Sequence, residues 1–91
     1  MHKVILTKVE KDLKYLPKQI LIKLKRWIDL VEEEGMAETR KIPGFHDEPL
    51  KGQRKGQRSI RLSLSYRAIY FEVSNGQVIL VHIEEVNNHD Y

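Results

Sequence analysis

Residues Ser59–Glu85, SIRLSLSYRAIYFEVSNGQVILVHIEE, decide how this 91-residue chain folds. Ser59–Leu64 alternates Ile60, Leu62 and Leu64 with Ser59, Arg61 and Ser63, the period-two pattern of a strand with one buried face. Tyr66–Val73 and Val78–Glu85 are rich in β-branched and aromatic residues. The segment Ser74-Asn75-Gly76-Gln77 between them contains Asn-Gly, a dipeptide that accepts the positive φ angles of a tight hairpin. A three-stranded antiparallel meander is expected. An Asn75-Gly76 turn would set Arg67 opposite Glu84 as a cross-strand ion pair. The earlier connection leaves two arrangements open. A two-residue turn at Ser65-Tyr66 puts Arg61 and Arg67 on opposite faces, whereas a three-residue turn at Leu64–Tyr66 puts them together.

Upstream, Lys3–Lys8 is short and β-branched and reads as an opening strand, with a short helical turn around Glu10–Tyr15. The clearer helix runs from Pro17, favoured in a first turn because it lacks an N–H, to Gly35. Ile20, Leu24, Trp27 and Val31 recur on one side of it, so Trp27 is expected to pack in the core. Gly35–Gly56, punctuated by Pro43-Gly44, Pro49 and Gly52, reads as an irregular surface loop. The order is β-α-α-β-β-β. It predicts a single α+β domain over residues 1–91, with the N-terminal helices packed on a small, twisted, mostly antiparallel sheet.

The chain has no cysteine, which excludes a disulfide, a thiol nucleophile and a thiolate metal site. No apolar run approaches the roughly 18 residues of a membrane span, and the N-terminus lacks the apolar core of a signal peptide, so a soluble cytoplasmic protein is expected. The formal net charge is +3, yet Lys51–Arg67 holds six basic residues and no acid, so the remainder carries −3. Such focused charge suits a polyanion such as RNA or DNA, although a basic loop can also be merely solvated.

Cleavage of an RNA phosphodiester needs a base for the 2′-hydroxyl, cations on the phosphorane and an acid for the leaving 5′-oxygen. Glu48, held beside Pro49, Arg61 and Arg67 on adjacent strands, and His89 in the tail supply these types. Each also has a plainer reading. Glu48 and Asp47 read as exposed loop carboxylates, His46 as a loop histidine, His82 as a hydrogen-bonded core or sheet histidine, and His89 as part of a frayed terminus.

The ordered set Glu48-Pro49-Leu50-Lys51, Gly56, Ser59-Ile60-Arg61, Tyr66-Arg67-Ala68-Ile69-Tyr70 and His89-Asp90-Tyr91 resembles the RelE/ParE superfamily of bacterial toxins. Within it the chain is most similar to the YoeB and HigB-like ribosome-dependent mRNA interferases. The resemblance implies a toxin of a type II toxin–antitoxin pair that enters the ribosomal A site. There it would cut mRNA without metal or cofactor, leaving a 2′,3′-cyclic phosphate and a 5′-hydroxyl. It implies Glu48 as general base, Arg61 and Arg67 as phosphorane-stabilising cations, and His89 as general acid, with Tyr91 positioning substrate or standing in for His89. Lys51, Arg54, Lys55 and Arg58 would grip ribosomal RNA, with His46 near the substrate. The implied partners are the ribosome, mRNA and a cognate antitoxin, often a small DNA-binding protein, in a toxin–antitoxin hetero-oligomer, and no membrane.

Two positions depart from the YoeB-like pattern. An aromatic pair common just before the strand serine is replaced by Gln57-Arg58, so base stacking there is lost or moved. The tail reads His89-Asp90-Tyr91 where His-Tyr is usual. The ParE branch, which inhibits DNA gyrase by protein binding without nuclease residues, is the alternative function on the same fold.

Overall fold

The computed structural model describes residues 1–88. A five-stranded sheet is built from β1 (His2–Ile5), β2 (Glu48–Pro49), β3 (Arg58–Arg61), β4 (Tyr66–Ser74) and β5 (Ile79–Asn88), in the spatial order β1-β5-β4-β3-β2. Among the described residues only the β1–β5 pair is parallel. The expected α+β architecture is therefore present. The helical elements are 3-10 turns at Asp12–Tyr15, Pro43–Phe45 and Gly52–Arg54, helix α1 (Lys18–Glu34) and a single helical turn, α2 (Met36–Thr39).

Helix α1 lies between Pro17 and Gly35, as the sequence predicts. Gly35 has φ +85°, and a Cβ on it would meet the His2 ring at 3.0 Å, so glycine is needed for both conformation and space. The buried stripe Ile20, Leu24, Trp27 and Val31 packs on one face of the sheet with Ile60, Ala68, Tyr70, Val81, Ile83 and Val86. Trp27 and Tyr70 are fully buried, their ring centroids 5.0 Å apart. Strand β1 is tied to the helix where the Val4 N–H donates to Glu32 Oε2 at 3.0 Å. His2 Nε2 accepts from the Met36 N–H at 3.3 Å, joining β1 to the start of α2.

Three sequence expectations require correction. The region 35–56 is not irregular throughout, because it contains α2, two 3-10 turns and strand β2, so Glu48 belongs to a sheet edge. The β4–β5 hairpin does not turn on Asn75-Gly76; the Asn75 N–H donates to the Val78 carbonyl at 3.1 Å. Asn75 Oδ1 accepts from the N–H groups of Gln77 (3.1 Å) and Val78 (2.8 Å), an Asx turn that opens the loop to four residues and leaves only Gly76 with positive φ. A bulge at Ile69/Tyr70 then leaves Glu84 without a register partner, since Tyr70 faces Ile83 and Ile69 faces Glu85. Loop and bulge together bring Asn87, not Glu84, opposite Arg67, and Glu84 pairs with Lys8.

The third concerns Asp47, expected to be exposed. Its side chain is 1 % exposed and accepts from Arg58 Nε at 2.6 Å and from the Tyr70 hydroxyl. Arg40 extends the network, contacting the Tyr70 hydroxyl at 3.4 Å and pairing with Glu72. Burial, then the Asp47 hydrogen bond, raise the Tyr70 pKa well above the ordinary phenol value. Burial opposes the charge on Arg58, but the bond to Asp47 and its charge outweigh this and hold the guanidinium more firmly protonated.

Candidate active site

The chain reaches the site through His46, whose φ of +47° is left-handed, a conformation that histidine adopts more readily than most residues. Residues 47 and 48 then point to opposite sides. Asp47 goes to the helix-covered face, and Glu48, paired with Ser59, goes to the other, outer face. Alternation along β3 and β4 places Ser59, Arg61, Arg67 and Ile69 on that same outer face.

Arg61 and Arg67 are direct register partners across β3 and β4. Neither short turn weighed from the sequence forms. The connection is longer, with Leu62 and Ser63 N–H groups donating to the Tyr66 carbonyl and Ser63 Oγ accepting from the N–H of Ser65 and Tyr66. Two like charges facing each other across a ladder are unfavourable unless an anion or an acid lies between them. Glu48 partly answers this, with Oε1 at 3.6 Å from an Arg67 terminal nitrogen and Oε2 at 3.7 Å from His46 Nε2. Arg61 has no side-chain hydrogen bond or ion pair among the described residues. The structure thus brings Glu48, Arg61, Arg67 and His46 to one end of the outer face.

Beside them is a cleft of about 200 Å³ lined by Leu50, Arg54, Ser59, Arg67, Ile69 and Asn87. Arg54 leans across it to pair with Glu85 and to donate to Gln57 at 3.0 Å. Asn87 Nδ2 also donates to Glu85, at 3.2 Å. Glu85 and Asn87 are features of the site that the sequence did not reveal, because their place depends on the bulge. Lys51 and Lys55 are exposed on the loop above. Arg58 stands apart from this group, on the other face and bound to Asp47. His89 and Tyr91 lie outside the described residues. Among the described residues no three His, Asp or Glu side chains converge to hold a metal ion, and no helix is long and apolar enough to cross a membrane.

This arrangement offers a carboxylate and two facing guanidinium groups at one end of the outer face, a shallow cleft beside them lined by Arg67 and Arg54, and further cations on an exposed loop. It is suited to holding a phosphate diester beside a base. No family model matches the chain. No curated protein matches it either. Solved structures do. The YoeB/ParE toxin from Agrobacterium tumefaciens matches with TM-score 0.72 at 18 % identity, covering 98 % of both chains. The YoeB-YefM complex from Staphylococcus aureus matches with TM-score 0.67 at 19 % identity, covering 100 % of this chain and 97 % of that one. YafQ from E. coli strain BL21(DE3) matches with TM-score 0.67 at 18 % identity, covering 97 % and 91 %. Over nearly its whole length the chain therefore shares the fold of the YoeB and YafQ toxins.

Proposed function

We propose that this protein is the toxin of a type II toxin–antitoxin pair and a ribosome-dependent endoribonuclease that cuts mRNA in the A site. The observation that carries the reading is the register pairing of Arg61 with Arg67 on the face that also bears Glu48. Two guanidinium groups facing each other across a ladder make a place that a phosphate diester can occupy.

In the proposed reaction Glu48 takes the proton of a ribose 2′-hydroxyl as that oxygen bonds to the adjacent phosphorus. Arg61 and Arg67 balance the negative charge that builds on the phosphorane oxygens. The bond from phosphorus to the 5′-oxygen breaks, a proton passes to that oxygen from His89 or Tyr91, and a 2′,3′-cyclic phosphate and a 5′-hydroxyl result. Lys51, Lys55 and Arg54 contribute affinity for the RNA backbone, Arg54 by exchanging Glu85 for a phosphate. Arg58 acts through the fold, by its bond to Asp47. An antitoxin is the implied partner; solved structures in which a chain shares this fold include the YoeB-YefM complex and the DinJ-YafQ complex from E. coli.

Induction in bacteria tests the reading. The wild type should arrest growth, and Glu48→Gln and Arg67→Ala should each abolish arrest while the purified variants keep the wild-type circular dichroism spectrum. Arrest with induction of the DNA-damage response and indifference to Glu48→Gln would point to a gyrase-directed toxin instead.

A further inference from the structure

Beyond the cleft, the outer face of the sheet carries a second feature. Phe71 and His82 are register partners on β4 and β5, and their rings stack 4.9 Å apart at 7° between planes. The row continues into Ile5 of β1, and the next row is Val73, Leu80 and Lys3. The core helix packs on the other face, against Tyr70 and its neighbours. Phe71, His82 and Leu80 are consequently only half-buried, and Val73 is 46 % exposed.

Alternation places Phe71 on the same face as Ile69 and Arg67. Phe71 is four residues from Arg67, roughly 13 Å at about 3.3 Å per residue. The cleft and the stacked rings thus lie on one face of the sheet, with Lys3 at its far margin.

We infer that the Phe71–His82 pair is a stacking platform for a base of the single-stranded RNA whose phosphate lies between Arg61 and Arg67. This rests on the nuclease reading above. Ile5 flanks His82 on the far side of the pair, so the open ring face is that of Phe71, which lines a cavity of about 230 Å³ with Gly56 and Gln57. Such a face takes any base, and it adds affinity to a strand whose backbone is tracked by cations. The base held is not next to the cleaved phosphate but further along the strand, as the separation requires. The cleft on the same face and the flanking Lys3 favour RNA over a protein as occupant.

The test is binding of a fluorescein-labelled, uncleavable 2′-O-methyl RNA nonamer at one fixed salt concentration, followed by anisotropy. Wild type is compared with Phe71→Leu, His82→Gln and Arg67→Ala, and the RNA is scanned with one abasic nucleotide at a time. In wild type, abasic substitution at one or two adjacent positions should weaken binding by about tenfold, the scale of one stacked base. That position-specific loss should vanish in Phe71→Leu and His82→Gln, each of which should also bind the intact RNA about tenfold more weakly. Arg67→Ala should weaken binding to every RNA alike. Unchanged binding by both ring variants, with Arg67→Ala still weakened, would overturn the platform and leave the phosphate reading standing. Unchanged binding by Arg67→Ala would instead remove the phosphate reading, and the single track proposed here with it. A uniform loss across the abasic scan in the ring variants would reduce the pair to a structural stack and also overturn the inference.

Discussion

Arg61 and Arg67 face each other across the β3–β4 ladder, with Glu48 reaching only Arg67 from the neighbouring edge strand. Replacing Arg61 by threonine, a strand-favouring neutral residue, removes the repulsion. Arg61→Thr should therefore gain about 0.2–1 kcal/mol in urea unfolding while losing toxicity. A loss of stability on this substitution would mean that the two guanidinium groups are already compensated within the free protein.

Arg67→Lys separates charge from geometry. Lysine keeps the charge but cannot present two parallel N–H donors to one phosphate. Single-turnover cleavage by Arg67→Lys should fall well below wild type while binding of single-stranded RNA, read at the same salt, changes far less than in Arg67→Ala. Equal losses in both variants would assign Arg67 a structural role.

The Asp47 network makes a prediction about the fold alone. Asp47→Ala leaves the Arg58 guanidinium, 28 % exposed, and the buried Tyr70 hydroxyl without their shared acceptor. The cost should be about 1–3 kcal/mol by urea unfolding, and Arg58→Ala made on top of it should cost less than Arg58→Ala alone. Additive losses would mean that the pair is not coupled.

Much of this was legible in the sequence, and the failures share a cause. The span of α1 and its buried Trp27 follow from a Pro start, a Gly stop and a 3.6-residue apolar period, all of which are local. Strands β4 and β5 follow from runs of β-branched and aromatic residues and β3 from alternation, although β3 ends at Arg61, short of the expected Leu64, which is exposed. Register did not, because it turns on how Asn75 and Ser63 side chains bond to nearby N–H groups and on a bulge at Ile69/Tyr70. These shift pairing by whole residues without altering the apolar pattern. Hence Arg67 meets Asn87 and not Glu84, and the Arg61–Arg67 facing emerges only in three dimensions. Asp47 and Glu48 are adjacent acids, and although Pro49 and the family resemblance single out Glu48, nothing in the sequence shows that Asp47 is buried. A two-residue strand entered through the left-handed His46 buries one and presents the other.

A pH dependence should arise at His2. Burial, the nearby N-terminal ammonium and Arg40 lower its pKa below the ordinary value of 6.5, and its Nε2 accepts from the Met36 N–H only when unprotonated. Below about pH 6.5 the unfolded chain binds this proton more readily than the folded one. The contribution is thus fully present above that value and is lost as pH falls through it toward the folded-state pKa. His2→Gln, which retains an acceptor and does not titrate, should unfold in urea with a shallower decline between pH 7.5 and 5.5 than wild type. Parallel declines would place the effect elsewhere.

The central claim is that Glu48, Arg61 and Arg67 form the cutting centre of a ribosome-dependent nuclease, and mapping mRNA 5′ ends by primer extension tests it most directly. The chain is induced in bacteria as wild type and as Glu48→Gln with Arg67→Ala, with a reporter whose start codon is intact or removed. The account predicts cuts within codons of the translated reporter, none in the untranslated one, and none with the double variant. Growth arrest with no new 5′ ends, or cuts that persist in the double variant, would contradict it.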